Sequence, residues 1–461
     1  MRAPMRSVPS AGGVICPPAP DPAAEDRPAP DPADRKEPAP VLPKAPVRPA
    51  PPQAKPDADE EIWLRVTREV AEDLAVDALD RDRAGKPPFD ELARLREAGL
   101  PALLTPPGPA RRGTDWRTAC AVIREIAAAD GSIGELLARH HVLAWSARFF
   151  STQERADGLE LRASAEQWLW GGGIALPDIE PVTGPALTLT PAEGGYLLSG
   201  CQYVAAGVTV ADRLVLGAVC SESGESLVVY VDPAHPGVAA DPENDRLGQR
   251  LAAAGRVGFD RVPVPADQVL GAVPRDEHAL APFATLAPLA LRLALVHVGL
   301  GIAEGALAEA RDITRAAPRG RPVPGRDEGG YADRPDADPY LLLAYGELAT
   351  EAHTAAAVVE SASEAMARGL LAGPELGVDQ RADIAVLVAA AEAVTSRAAV
   401  RLTTRVLELT EGAGSVAGPL GFDRFWRNAR VLTAQASPVH RLRDIGDHYL
   451  NGTHPPLTLH G

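Results

Sequence analysis

Cysteine is scarce in this chain of 461 residues: only Cys16, Cys120, Cys201 and Cys220 occur, with no CxxC pair and no metal-ligand spacing. That pattern excludes a disulfide framework and a cysteine-built metal site, and it suits isolated thiols packed as small hydrophobes in a reducing compartment. Long apolar runs are missing too. The most apolar stretch, residues 283–302, is broken by Pro288, Arg292 and His297, so no membrane span is expected where roughly eighteen or more uninterrupted apolar residues are needed. The N-terminus lacks the continuous apolar core of a signal peptide, which points to a cytoplasmic protein. Positive charge is in deficit: 46 Lys and Arg stand against 62 Asp and Glu, a net charge of −16. A nucleic-acid surface needs clustered basic residues, so that class of partner is excluded. The deficit belongs to the body of the chain, because residues 1–60 hold eight basic and nine acidic side chains.

What is present is ordinary globular material behind an unusual front. Residues 1–56 contain 17 of the 45 prolines, repeat PAPDPA at 18–23 and 28–33, and carry almost no large apolar residue. Such a segment cannot bury enough surface to offset its ordering entropy, so a disordered, partly polyproline-II tail is expected over 1–57, acting as a spacer. From there the texture changes. Ile62, Val66, Val70 and Leu74, then Phe89, Leu92, Leu95 and Leu100, recur at helical spacing, and two more helices are expected over 114–150, joined at Asp130-Gly131-Ser132 with Asp130 or Ser132 as N-cap. Between about 166 and 277 the period switches to alternation. Strands are expected at 186–190, 196–198, 213–216, 226–231 and 257–260, with a hairpin turn at Gly194-Gly195. Long Ala- and Leu-rich helices follow, at about 281–317, 340–371, 378–412 and 420–450, and helices of that length pack as a four-helix bundle. The fold class is thus α+β, mostly α: a helical domain over 58–165, a middle β-barrel or sandwich domain over 166–277, and a helical bundle over 278–461.

Several short passages, in this order, resemble the acyl-CoA dehydrogenase superfamily. Leu95-Arg96-Glu97-Ala98-Gly99-Leu100 is similar to the end of that family's early helix, Ala127–Ser132 to its "aDgS" turn, and Gly258-Phe259-Asp260 with Val262–Pro265 to its "FD.V.VP" exit from the β domain. Within the superfamily the chain looks most like the flavin-dependent, dibenzothiophene monooxygenase-like branch. Leu136–His141 resembles its "LL.YH" segment. Arg321-Pro322, Asp338-Pro339-Tyr340 and Gly346-Glu347-Leu348 follow its "RPW…DPY…GEL" pattern, and Phe422–Arg430 is nearly "LDRFWRNAR". The resemblance implies reduced FMN or FAD as cofactor, supplied by a separate flavin reductase, with O2 and a small apolar or sulfur- or nitrogen-containing molecule as substrates, and a homotetramer.

The same resemblance assigns site residues. His140 and Gln435 fall where the branch has catalytic groups, and Ala206 and Gly207 where its chain meets the flavin ring. Arg321, Gly412, Gly414, Arg427 and Asn428 fall at its other flavin contacts. A guanidinium fork and bare glycine backbone both suit a phosphate. Some positions carry altered chemistry: a hydroxyl expected near the ring is replaced by Ala206, and two histidines by Leu432 and Gln435. Glutamine can donate a hydrogen bond but moves no proton at neutral pH. An acyl-CoA dehydrogenase needs a carboxylate base; one family position falls on Ala436, and the other lies in a stretch without Asp or Glu from His278 to Glu304. Two alternatives therefore stand beside the monooxygenase: a dehydrogenase with a relocated base, and a catalytically silent relative.

Overall fold

Seven helices come first: α1 (Ala58–Val76), α2 (Ala78–Ala84), α3 (Phe89–Glu97), α4 (Trp116–Ala129), α5 (Gly131–Ala144), α6 (Ser146–Phe150) and α7 (Gln153–Ala165). Among the described residues eight strands follow: β1 (Trp170–Gly173), β2 (Thr188–Ala192), β3 (Gly195–Val204), β4 (Arg213–Cys220), β5 (Ser226–Val231), β6 (Val238–Pro242), β7 (Gly255–Pro265) and β8 (Val269–Val273). The chain then returns to helices α8 (Leu286–Ala316), α9 (Pro339–Ala372), α10 (Val378–Thr410), α11 (Asp423–Ala434) and α12 (Pro438–Asn451). This computed structural model describes residues 58–106, 113–174, 187–274, 279–316, 338–410, 420–434 and 438–459. The proline-rich segment 1–57 lies outside the described residues.

Local chemistry sets the ends of these elements. The Asp115 side chain accepts from the Thr118 backbone N–H at 2.8 Å and starts α4. Asp130 accepts from the N–H groups of Ser132 and Ile133 at 3.0 and 3.3 Å and starts α5, so the cap is Asp130 and not Ser132. Asp338 caps α9 in the same way, with Pro339 at the first helical position where its missing N–H costs nothing. Of the helix expected over 420–450, the described residues show α11 up to Ala434 and α12 from Pro438; residues 435–437 lie outside the described residues.

The strands form one mixed sheet in the order β6-β7-β3-β2-β4-β5-β8, with β1 parallel to β4 off that path. The β2–β3 hairpin turns on Glu193-Gly194, Gly194 taking φ 79° while Gly195 already pairs with Ala192. Leu189, Leu198, Leu216, Val229, Val257 and Val264 fill the interior of the sheet. Three strands, β1, β6 and β8, escape the alternation rule. β1 is mostly glycine, β6 has only Val238 as a large apolar residue, and β8 is five residues long.

The helices share one large core in which α8 is central. By length and composition α8 could cross a membrane, but 78% of its most apolar window is buried inside the protein. It approaches α4 unusually closely. A Cβ on Gly301 would collide with the Arg124 carbonyl and lie 2.9 Å from the Ala127 Cβ, and one on Gly305 would collide with the carbonyl of Ala128. The same Ala127 receives α5: a Cβ on Gly134 of α5 would lie 2.8 Å from the Ala127 Cα. Arg124 then pairs with Glu304 across the same crossing.

Gly305→Val should therefore destabilise the protein by about 3 kcal/mol or more, because the Ala128 backbone cannot move aside. Gly158→Ala in α7, where a Cβ meets nothing within 4 Å, should stabilise by about 0.5–1 kcal/mol. Urea midpoints of the two variants check the pair, and a tolerated Gly305→Val would remove the crossing from its assigned role.

Candidate active site

The region begins at His140, which lies on α5 and is 1% exposed. Its Nδ1 accepts from the Trp170 backbone N–H at 3.0 Å, so the proton sits on Nε2, which donates to the Pro101 carbonyl at 2.8 Å. Burial, only partly offset by the Pro101 bond, lowers its pKa to about 4. At neutral pH the ring is neutral, and it ties α5 to the start of β1 and to the turn after α3. His141 beside it is fully buried. Neither of its nitrogens has a partner among the described residues, and burial together with the His140 ring holds its pKa well below the usual value. His141 lines a narrow cleft with Trp145, Trp168 and Trp170.

β1 runs from Trp170 into Gly171-Gly172-Gly173, a triplet the alternation rule passed over. Gly171 lies against the turn after β3: a Cβ on Gly207 would be 3.2 Å from the Gly171 Cα. Gly207 takes φ 85°, which favours glycine. Its N–H donates to the Ala252 carbonyl at 2.9 Å, and Val208 N–H to that of Ala253 at 2.8 Å. Ala206 is buried beside it. Among the described residues a Cβ on Gly173 would meet nothing within 4 Å, and Gln202 Nε2 donates to the Gly173 carbonyl at 2.9 Å. Bare backbone is thus accessible at the end of β1, where a flat ligand can approach closely.

The loop 248–253 links this turn to the helices. Leu251 N–H reaches Ser132 Oγ at 3.4 Å, and Gln249 N–H donates to Asn428 Oδ1 at 2.7 Å. Arg427 pairs with Asp82 of α2 and with Asp423 at 3.0 Å, and donates to the Leu247 carbonyl at 2.9 Å. Arg427 and Asn428 therefore spend their polar atoms on a joint between α2, α11 and the β segment. The Gln249 amide is fully buried and has no partner among the described residues. Leu432 packs against Gly299 of α8, near Thr395 of α10, so the position of one family histidine is here part of an apolar wall. Arg321, Gly412, Gly414 and Gln435 lie outside the described residues. Sequence reasoning missed the glycine triplet, for which Trp170-Gly171-Gly172-Gly173 was the signal, and missed Asp82, whose partner lies 345 positions away.

Residues 293–437 match the family described as acyl-CoA dehydrogenase, C-terminal domain. Dibenzothiophene monooxygenase of Rhodococcus qingshengii is 32% identical over 412 residues, spanning 87% of this chain and 95% of that relative. A probable FMNH2-dependent monooxygenase of Pseudomonas putida, SfnC, is 29% identical over 394 residues, spanning 85% and 95%. Among solved structures, FMN-bound TdsC from Paenibacillus sp. A11-2 is similar with a TM-score of 0.79 and 30% identity, spanning 87% of this chain and all of that one.

Two outcomes follow from the geometry. Burial also lowers the pKa of His297 in α8 to about 3. Below pH 6.5 the unfolded chain takes up protons that folded His140 and His297 refuse, so stability present above pH 6.5 is lost as pH falls toward 4. By pH 5 the loss is about 2 kcal/mol per imidazole. Melting temperature should fall from pH 7 to pH 5, and His297→Asn should flatten that slope by about one proton; an unchanged slope would contradict the assignment. In the Arg427 joint, Asp82→Ala and Arg427→Met should each cost about 3 kcal/mol, the double variant costing clearly less than the sum. Strict additivity in a double-mutant cycle would dissolve the joint.

Proposed function

The chain belongs to the dibenzothiophene monooxygenase family, within the acyl-CoA dehydrogenase superfamily, and we propose that it oxygenates a small sulfur-containing substrate with reduced FMN and O2. It is a flavin-dependent oxidoreductase. The observation that carries the site is the glycine backbone of β1 set against Gly207, with open space beyond Gly173. Gly171 and Gly172 are packed against Ala211 and Val215, so a planar ring would meet the backbone at Gly173, where Gln202 Nε2 donates to the carbonyl at 2.9 Å. The flavin, when bound, supplies the redox chemistry. The chain supplies position: His140 holds β1 through Trp170 N–H, and the Ala252 and Ala253 carbonyls hold the 207–208 turn. We assign His140 to positioning, since both ring nitrogens are engaged and the ring is neutral.

From the family resemblance we further propose Arg321, Gly412 and Gly414 for the cofactor's anionic end, with Gln435 donating a hydrogen bond near the reacting oxygen. FMN is favoured over FAD because Glu408 and Glu411 would repel a longer diphosphate. A separate flavin reductase as electron source, a homotetramer and a cytoplasmic location complete the proposal. The silent-relative reading draws on Leu432, whose apolar packing moves no proton. The dehydrogenase reading has least support, because no Asp or Glu lies between His278 and Glu304.

The test mixes the purified protein with reduced FMN, ¹⁸O2 and, as probe, dibenzothiophene, after which the Rhodococcus relative is named. One ¹⁸O atom per product molecule is expected, with no product when flavin is omitted. Bleaching of bound FAD by an acyl-CoA without oxygen would instead establish the dehydrogenase. Failure to bind either reduced flavin would leave the silent relative.

A further inference from the structure

A second cleft, of about 40 Å³, opens where α8, α10, α12 and the segment after α12 meet; Arg292, Arg381, Arg441, Asp444, Pro455 and Thr458 line it. Its charges do not balance. Arg292 Nε donates to Glu392 Oε2 at 2.8 Å, and Arg441 Nε lies 3.7 Å from the same oxygen. Asp444 is taken by Arg443 at 3.0 Å. Arg381, only 1% exposed, donates from Nε to Thr285 Oγ1 at 2.9 Å and from Nη1 to the Pro455 carbonyl at 3.0 Å. Both acceptors are neutral. Among the described residues no carboxylate forms an ion pair with Arg381, so four guanidinium groups share two carboxylates.

Hydrogen bonds to neutral oxygens satisfy donors but do not compensate a buried charge, and an uncompensated buried ion is strongly unfavourable. The Arg381 guanidinium feels this: burial and the nearby Arg292 lower its pKa to about 10. Arginine forks are the side chains best matched to oxyanions. The space decides the size of the partner, because it holds on the order of three water molecules, too few for a nucleotide or an acyl-CoA.

We propose that this cleft binds a small tetrahedral oxyanion, of sulfate or phosphate size, between Arg381, Arg292 and Arg441. Asp444 on the wall opposes the anion and selects against weakly held ones. The site lies on different helices from the glycine strand and does not rest on the flavin reading. Calorimetric titration of the full chain with sulfate and with inorganic phosphate, at fixed ionic strength, should give saturable binding near one equivalent. Acetate should bind at least tenfold more weakly. Arg381→Met should abolish the heat, and Arg441→Gln, at a partly exposed side chain, should weaken binding at least tenfold with an unchanged circular-dichroism spectrum. If Arg381→Met does not fold, Arg441→Gln carries the comparison alone. Absence of saturable heat with both oxyanions, or equal binding by wild type and Arg441→Gln, overturns the proposal. So does a melting-temperature rise that never saturates, which is the general exclusion effect of these salts.

Discussion

Everything else in the body of the protein hangs on the contact between α4 and α8. Two glycines one turn apart, Gly301 and Gly305, let α8 rest on the backbone carbonyls of Arg124 and Ala128, while Gly134 lets α5 close on Ala127. Close approach of this kind gains dispersion and weak Cα–H···O contacts that bulkier residues would forbid. It also joins the first helical segment directly to the last, although the whole β segment intervenes in sequence. Once α4 is seated, α5 must leave it at Asp130, whose carboxylate caps α5 and pairs with Arg81 at 3.2 Å. The direction of α5 then brings His140 to Trp170 and Pro101. That bond holds β1, and β1 sets Gly171 against Gly207. The candidate site is thus the end of a chain of constraints that starts at a helix crossing.

Buried ion pairs sharpen this arrangement more than they strengthen it. A pair such as Arg427–Asp82 gives back in Coulomb energy roughly what it loses in desolvation, so its net contribution is small while the cost of removing one partner is several kcal/mol. That asymmetry makes it a device for specifying which helix meets which. Arg124–Glu304 at the α4–α8 crossing and Arg424–Glu309 between α11 and α8 are partly exposed, so solvent screens them and both their gain and their cost of loss are smaller. The neutral imidazole of His140 belongs with them. One donor and one acceptor at opposite edges of a rigid ring span three segments, which a hydroxyl could not.

Much of the fold was legible because it is periodic. The long helices, the Asp130 cap and the strand at 226–231 come from spacing and cap chemistry, which act locally. What could not be read is what depends on distant partners. β1 carries no alternation because three of its four residues are glycine, and β6 and β8 are held by their neighbours more than by their own composition. Arg427 and Asn428 look like ligand-binding residues when only their own helix is in view. Asp82 and Gln249, far away in sequence, are what engage them. A charged residue near a suspected site is a poor indicator of binding unless its protein partners are known.

The chemistry left to the proposed site follows from which groups cannot move protons. His140 is neutral with both nitrogens engaged, Leu432 packs on Gly299, and Ala206 has no hydroxyl. Hydroxylating a phenol ring requires a base for the substrate. Oxygen transfer to a sulfur lone pair removes no proton from the substrate, and it asks the protein chiefly to orient the sulfur and exclude water. Bare backbone at Gly173 and the apolar packing of Leu432 suit that role. The changes at Ala206 and Leu432 are compatible with the proposed oxygenation of a sulfur-containing substrate.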